Sequence, residues 1–133
     1  MEQGVVLDSY ALLAFWAGEP GADRVASLLQ EAADDAPVLM SYANVGEVLY
    51  ILERRRGSSA PYRALSALSL LPVTLVEVGR RQTIAAARLK ARYLISYADG
   101  ICAALGKLTG LPVVTGAPEY HSLEGEIEVI WLS

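Results

Sequence analysis

Three carboxylates stand by themselves in this sequence. Asp8 is the only charged residue between Glu2 and Glu19, Glu47 the only one between Asp35 and Glu53, and Asp99 the only one between Arg92 and Lys107. Each falls in an apolar stretch that reads as core. An ionised carboxylate buried without a partner costs several kcal/mol or takes up a proton. No lysine or arginine lies beside any of the three in sequence to offset that cost. Their chemistry is that of hard oxygen ligands, and a cation held between them would resolve the electrostatics. Each also has a purely structural reading. Asp8 can cap a helix, Asp99 can sit in a first helical turn favoured by the helix dipole, and Glu47 can lie exposed on a helix. Three such residues in one chain are harder to explain separately than together.

Other chemistries are poorly represented. His121 is the only histidine and falls in a polar stretch, which reads as surface. Cys102, the only cysteine, follows Asp99 by three residues in an apolar helix and reads as core. The sequence holds no phosphate-binding P-loop and no G-x-G-x-x-G.

Short apolar runs and helical patterns alternate along the chain, and they must position the acids. A Val-rich run ending at Leu7 predicts a buried strand, with Asp8-Ser9 closing it and a helix over 10–17 following. Val25, Leu28, Leu29 and Ala32 predict a second helix over 22–33. A strand over 38–40 leads to Ser41, a good N-cap, and a helix over 42–56 with a basic last turn and Gly57 after it. The face carrying Tyr42, Val45, Val48, Leu49 and Leu52 is expected on the sheet. Asn44 and Glu47 occupy neighbouring positions of one helix face, and Glu47 is left pointing towards a cleft or solvent. Pro61 opens a fourth helix ending before Pro72, and a strand over 73–76 follows. A helix over 80–92 and a Ser96-capped helix over 97–108 precede a strand over 111–115. A loop over 116–119 follows, and an edge strand is expected over 127–132. Strands alternating with helices imply an α/β domain with a parallel sheet of four to five short strands and helices on both faces. In such sheets ligands bind beyond the carboxyl ends of the strands, where Asp8, Ser41 and Thr115 fall.

The 133 residues suit one domain, 1–133, and a hydrophobic fraction of 53% suits a substantial core. No apolar run reaches the roughly 18 residues that span a bilayer, and the first residues lack a basic signal-peptide region. One cysteine excludes an internal disulfide and suits a reducing cytoplasm. A formal net charge of -4 argues against a generic nucleic-acid coat. The cations cluster locally, at Arg54-Arg55-Arg56, Arg80-Arg81 and Arg88/Lys90/Arg92. These are candidates for phosphate contacts or simply solvated helix faces.

The motifs, in order, are an apolar strand with Asp8-Ser9, Asn44-Val45-Gly46-Glu47-Val48, Ser96-Tyr97-Ala98-Asp99, and Val113-Val114-Thr115-Gly116-Ala117-Pro118-Glu119-Tyr120. Their order and spacing resemble the PIN-domain ribonucleases, most closely the toxin subunits of VapBC-type toxin–antitoxin pairs, across essentially the whole chain. The resemblance implies a PIN-like fold and a metal-dependent endoribonuclease acting on RNA. It implies that Asp8 and Asp99 are the principal ligands of Mg2+ or Mn2+, and that Glu47 binds the ion directly or holds a water on it. Ser9 and Thr115 would be supporting hydrogen-bonders, and Asn44 would orient Glu47 or a ligand. It further implies a cognate antitoxin, a homodimer and no membrane attachment. Tyr62, Leu65 and Leu68 are candidates for an apolar dimer face.

One position departs from the family. A fourth acid is usual in the Thr-Gly-Asp-Pro loop, and here that position is Ala117. Three accounts are open. Glu119, two residues on, can substitute; the chain can be a natural form of weak or lost activity; or the residue can have been changed deliberately in a toxic nuclease. An inactive PIN fold acting only as a binding module is therefore an alternative. A phospho-acceptor receiver domain shares the size, sheet and acidic pocket. Asp8 is single, however, and no lysine follows Thr115.

Overall fold

Val5, Val6 and Leu7 are apolar and partly β-branched, and they form a strand buried on both faces. The computed structural model describes residues 3–132. Its elements are β1 (Val5–Leu7), α1 (Ser9–Ala17), α2 (Ala22–Gln30), β2 (Val38–Ser41), α3 (Tyr42–Arg56), α4 (Ala60–Leu68), β3 (Thr74–Val76), α5 (Arg80–Arg92), α6 (Tyr97–Thr109), β4 (Val113–Thr115), a 3-10 helix (Pro118–Leu123) and β5 (Val129–Trp131).

The strands form one sheet in the order β3-β2-β1-β4-β5, with every neighbouring pair parallel. From β1 the chain first builds outwards through β2 and β3, then crosses to β4 and β5 on the other side. The order therefore reverses between β1 and β4. Their carboxyl ends frame the crevice where open α/β sheets bind ligands.

Helices cover both faces. Val6 and Val113 pack with Leu89, Ile101, Cys102 and Leu105 of α5 and α6 on one side. Leu7, Val38 and Val114 pack with Ala11, Val25 and Leu29 of α1 and α2 on the other. Met40 joins Leu12, Val45, Val48 and Leu68 under α3 and α4. Among the described residues no helix is long and apolar enough to cross a membrane.

The expected elements recur with local differences. The second helix ends at Gln30 rather than Ala33, because Ala33 and Ala36 instead pair across Asp34-Asp35 in a tight antiparallel bridge. A 3-10 helix begins within the loop expected over 116–119 and runs on past it to Leu123; Pro118, whose fixed φ suits a first helical position, opens it. Tyr42 is exposed, not packed on the sheet. It directly follows the last residue of β2 and so lies past the sheet's end. Leu68 belongs to the core, whereas Tyr62 and Leu65 remain exposed.

Candidate active site

Asp8 leaves the end of β1 as the N-cap of α1. Its Oδ1 accepts the backbone N–H of Ala11 at 2.8 Å, which satisfies one of the helix's free donors. Its Oδ2 accepts the hydroxyl of Thr115, the last residue of β4. The capping expectation therefore holds, and the cap alone does not use up the carboxylate. Asp8 is buried, and burial pushes its carboxyl up to about 7. The bonds from Thr115 and Ala11 oppose that rise, and the charges of Asp99 and Glu47 add to it.

Asp99 sits in the first turn of α6, and its backbone N–H donates to the Ser96 hydroxyl at 3.1 Å. Burial raises its carboxyl to about 6, and the neighbouring Glu119 carboxylate pushes it in the same direction. The Ser96 bond opposes the rise and Glu47 adds to it. Asp99 Oδ2 is buried and has no hydrogen-bond partner. A buried oxygen of that kind costs free energy unless a donor or cation meets it.

Glu47 is half-buried on α3 and accepts the hydroxyl of Ser9, the first residue of α1. Asn44 is fully buried one turn earlier, and its Nδ2 donates to the Ala98 carbonyl at 3.3 Å. It thereby ties α3 to the start of α6 beside Asp99. Its Oδ1 is a second buried oxygen without a donor. Asn44 thus braces the acid-bearing turn of α6, and no hydrogen bond joins it to Glu47.

The remaining loop closes the site. Ala117 is half-buried against the α5–α6 core, and its N–H donates to Thr115 Oγ1 at 3.0 Å. Gly116 lies under Tyr10, where a Cβ would come within 2.3 Å of the ring. Glu119 reaches Asp99 from the first turn of the 3-10 helix. Lys90, Ser96, Asp99 and Glu119 line an open cleft of about 320 Å³. Lys90 donates to the Ile95 carbonyl at 2.8 Å. Its place on the cleft wall had no sequence signal other than its membership of a basic cluster, since α5 and α6 meet only in the fold.

Asp8, Glu47 and Asp99 thus lie within electrostatic reach of one another. Among the described residues, no three His, Cys, Asp or Glu side chains close into a direct metal-binding cluster. The donor set is nevertheless all oxygen, with one carboxylate oxygen left unpaired. That suits Mg2+, which commonly keeps several waters and takes only one or two protein carboxylates. A second cleft, lined by Leu13, Trp16, Leu52, Arg55, Arg56 and Arg63, contains none of these acids. Arg54 instead lies over the Tyr50 ring, 5.1 Å from its centroid.

The PIN domain family model matches residues 5–121. Among curated proteins, none matches the sequence. The fold is similar to a chain of a toxin–antitoxin complex from Klebsiella pneumoniae, at 17% identity and TM-score 0.72, covering 98% of each chain. It is also similar to a chain of VapBC2 from Rickettsia felis bound to a promoter DNA fragment, at 10% identity and TM-score 0.74, covering 97% of this chain and 98% of that one. VapC20 of Mycobacterium tuberculosis, described as a sarcin–ricin loop cleaving toxin, aligns at 21% identity and TM-score 0.70, covering 95% of this chain and 98% of that one. These similarities replace the receiver-domain alternative.

Proposed function

The chain belongs to the PIN domain family, and on that premise we propose that it is a metal-dependent endoribonuclease, the toxin of a toxin–antitoxin pair. The observation that carries this reading is that Asp8, Glu47 and Asp99 lie within electrostatic reach of one another, with a buried Asp99 oxygen that has no hydrogen-bond partner among the described residues.

Asp8 and Asp99 would hold Mg2+ or Mn2+, with Glu47 contributing directly or through water. The bound ion supplies positive charge at the scissile phosphate and acidifies water there. The protein groups set the geometry. Thr115 and the α1 N-terminus hold Asp8 by both oxygens, Ser96 fixes the turn bearing Asp99, and Ser9 restrains Glu47. Asn44 locks α3 to α6 so that the two acid-bearing helices keep their spacing. Glu119, whose charge bears on Asp99 from two residues beyond Ala117, would take the place of the acid that Ala117 lacks. It is also a candidate to accept a proton from water near the phosphate.

The proposed partner is a cognate antitoxin, in line with the toxin–antitoxin complexes among the similar structures. Tyr62, 74% exposed, and Leu65, 40% exposed, offer an apolar face on α4 for a second copy of the chain. An RNA substrate and a buried free thiol suit the cytoplasm. A second reading, an inactive binding module, rests on Ala117 alone.

The deciding experiment is cleavage of a panel of structured RNAs with Mg2+ or Mn2+. Four proteins are compared: the wild type, Asp8→Asn, Glu119→Gln and Ala117→Asp. The nuclease reading expects wild-type cleavage that Asp8→Asn abolishes and Glu119→Gln lowers by about 10²-fold or more. If neither the wild type nor Ala117→Asp cuts any RNA, the binding-module reading takes its place.

A further inference from the structure

His121 is not absorbed by the acid site, yet it has a defined setting. Its ring stacks on Trp131, with centroids 4.1 Å apart and planes 20° from parallel. Glu124 clamps the pair from the side. One of its oxygens meets His121 Nδ1 at 3.2 Å, and the other accepts Trp131 Nε1–H at 3.0 Å. Trp131 packs against the α5–α6 core, whereas the His121 side chain is 66% exposed. The result is a braced aromatic surface whose outer layer is the imidazole.

Its position ties it to the acids. Trp131 pairs in register with Thr115, and Thr115 holds Asp8. Thr115 and Trp131 end β4 and β5, and Asp8 directly follows β1, the other neighbour of β4. At about 4.8 Å per strand, the Trp131 backbone lies roughly 10 Å from that of Asp8. His121 follows Glu119 by two residues in the same 3-10 helix. The bases that flank a phosphate held at the acids would lie within reach of this end of the sheet.

We infer that the His121–Trp131 stack is a platform for one unpaired base of the RNA substrate, next to the cleaved linkage. The inference rests on the nuclease reading of the neighbouring acids. Bases stack on flat aromatic faces without sequence-specific hydrogen bonds, and unpaired RNA is read in this way. The clamp favours a base over an arginine from a protein partner. Both Glu124 oxygens are already engaged, so the platform presents a ring face without a free carboxylate to pair with a guanidinium.

His121 is the only histidine, so its Cε1 proton gives one resolved reporter signal in NMR spectra of untagged protein. The probe is a single-stranded hexaribonucleotide titrated in EDTA, beside an abasic oligomer of equal charge. The expected result is a shift of the His121 Cε1 proton with the base-bearing oligomer only. His121→Ala should weaken binding about tenfold, while His121→Phe, which keeps a ring face, should retain it. In metal-supported cleavage, His121→Ala should raise KM and leave kcat nearly unchanged. An equal shift with the abasic oligomer, no shift at all, or a shift seen only with added antitoxin overturns the inference. Because the titration is done without metal, its result is separate from activity. Cleavage without a base-dependent shift sinks the platform alone, and a base-dependent shift without cleavage sinks the nuclease reading alone.

Discussion

Asp8 accepts two hydrogen bonds and is still penalised for its charge, because it is buried beside other carboxylates. Its folded value of about 7 lies above the ordinary 3.8, and that of Asp99, about 6, is raised in the same sense. A raised carboxylate contributes stability that is fully present below its unfolded value and lost as pH rises through its folded value. For Asp8 this amounts to on the order of 4 kcal/mol between about pH 4 and pH 7. In EDTA, the Tm should therefore fall from pH 5 to pH 8, and Asp8→Asn should flatten most of that fall. Mn2+ should raise the Tm more at pH 8 than at pH 5, since it binds the ionised form. A wild-type Tm as steady as that of Asp8→Asn would contradict this. Thr115 allows a second test, because its hydroxyl both donates to Asp8 and accepts from Ala117. Thr115→Val keeps the shape and removes both bonds, at an expected cost of about 1–3 kcal/mol in urea unfolding. Thr115→Ser should recover most of it. An unchanged urea midpoint in the valine variant would mean that the two bonds do not brace the site.

The element that presents Asp99 is α6, whose residues from Asp99 to Gly106 are buried without a break. Glycine lets it sit that deep. A Cβ on Gly106 would lie 2.8 Å from Val113 Cγ2 and 3.1 Å from the Leu111 carbonyl oxygen, between the helix and β4. Alanine would gain up to about 1 kcal/mol of helix propensity. Overpacking against a fully buried valine costs about 1–3 kcal/mol. Gly106→Ala should thus be net destabilising by about 1 kcal/mol, and Val113→Ala in the same chain should relieve part of the clash. Additive losses in a double-mutant cycle would argue against direct contact. The sequence pattern identified α6 by its Ser96 cap, its run of apolar residues and Gly110, because those signals are local. It also placed Asp8 and Thr115 at strand ends, since short Val-rich runs bounded by polar residues have few other readings. What it could not supply was which strands are neighbours. The pairing of β5 with β4, and hence the place of Trp131 beside Thr115, depends on the crossover of the whole chain. The contact of Lys90 with the turn before α6 depends on how α5 and α6 pack. The 3-10 helix after β4 leaves no readable pattern, because six residues are too few to display a period.

Across the molecule, charge is unevenly spread. The net charge is -4, yet among the described residues no cation is hydrogen-bonded to the acids of the crevice, while the arginines concentrate on α3, α4 and α5. The proposed metal and the proposed antitoxin would both meet that imbalance. A divalent ion in the crevice and any basic side chain that an antitoxin placed there would each offset the same carboxylates, and they cannot both lie there at full charge. Binding free energies at one protein are linked reciprocally, so if the antitoxin weakens the ion, the ion must weaken the antitoxin by the same factor. The calorimetric affinity for Mn2+ should fall at least tenfold, about 1.4 kcal/mol, in the antitoxin complex relative to the free chain. Raising Mn2+ should speed antitoxin release, measured by surface plasmon resonance, and Asp8→Asn should abolish that dependence. The salt response separates this from general screening. Equal ionic strength supplied as NaCl should change association more than dissociation, because diffuse charge acts mainly on encounter. Equal Mn2+ affinity in the free and complexed chain would mean that the antitoxin neutralises the toxin from outside the crevice, by covering the path of the RNA rather than by occupying the acids.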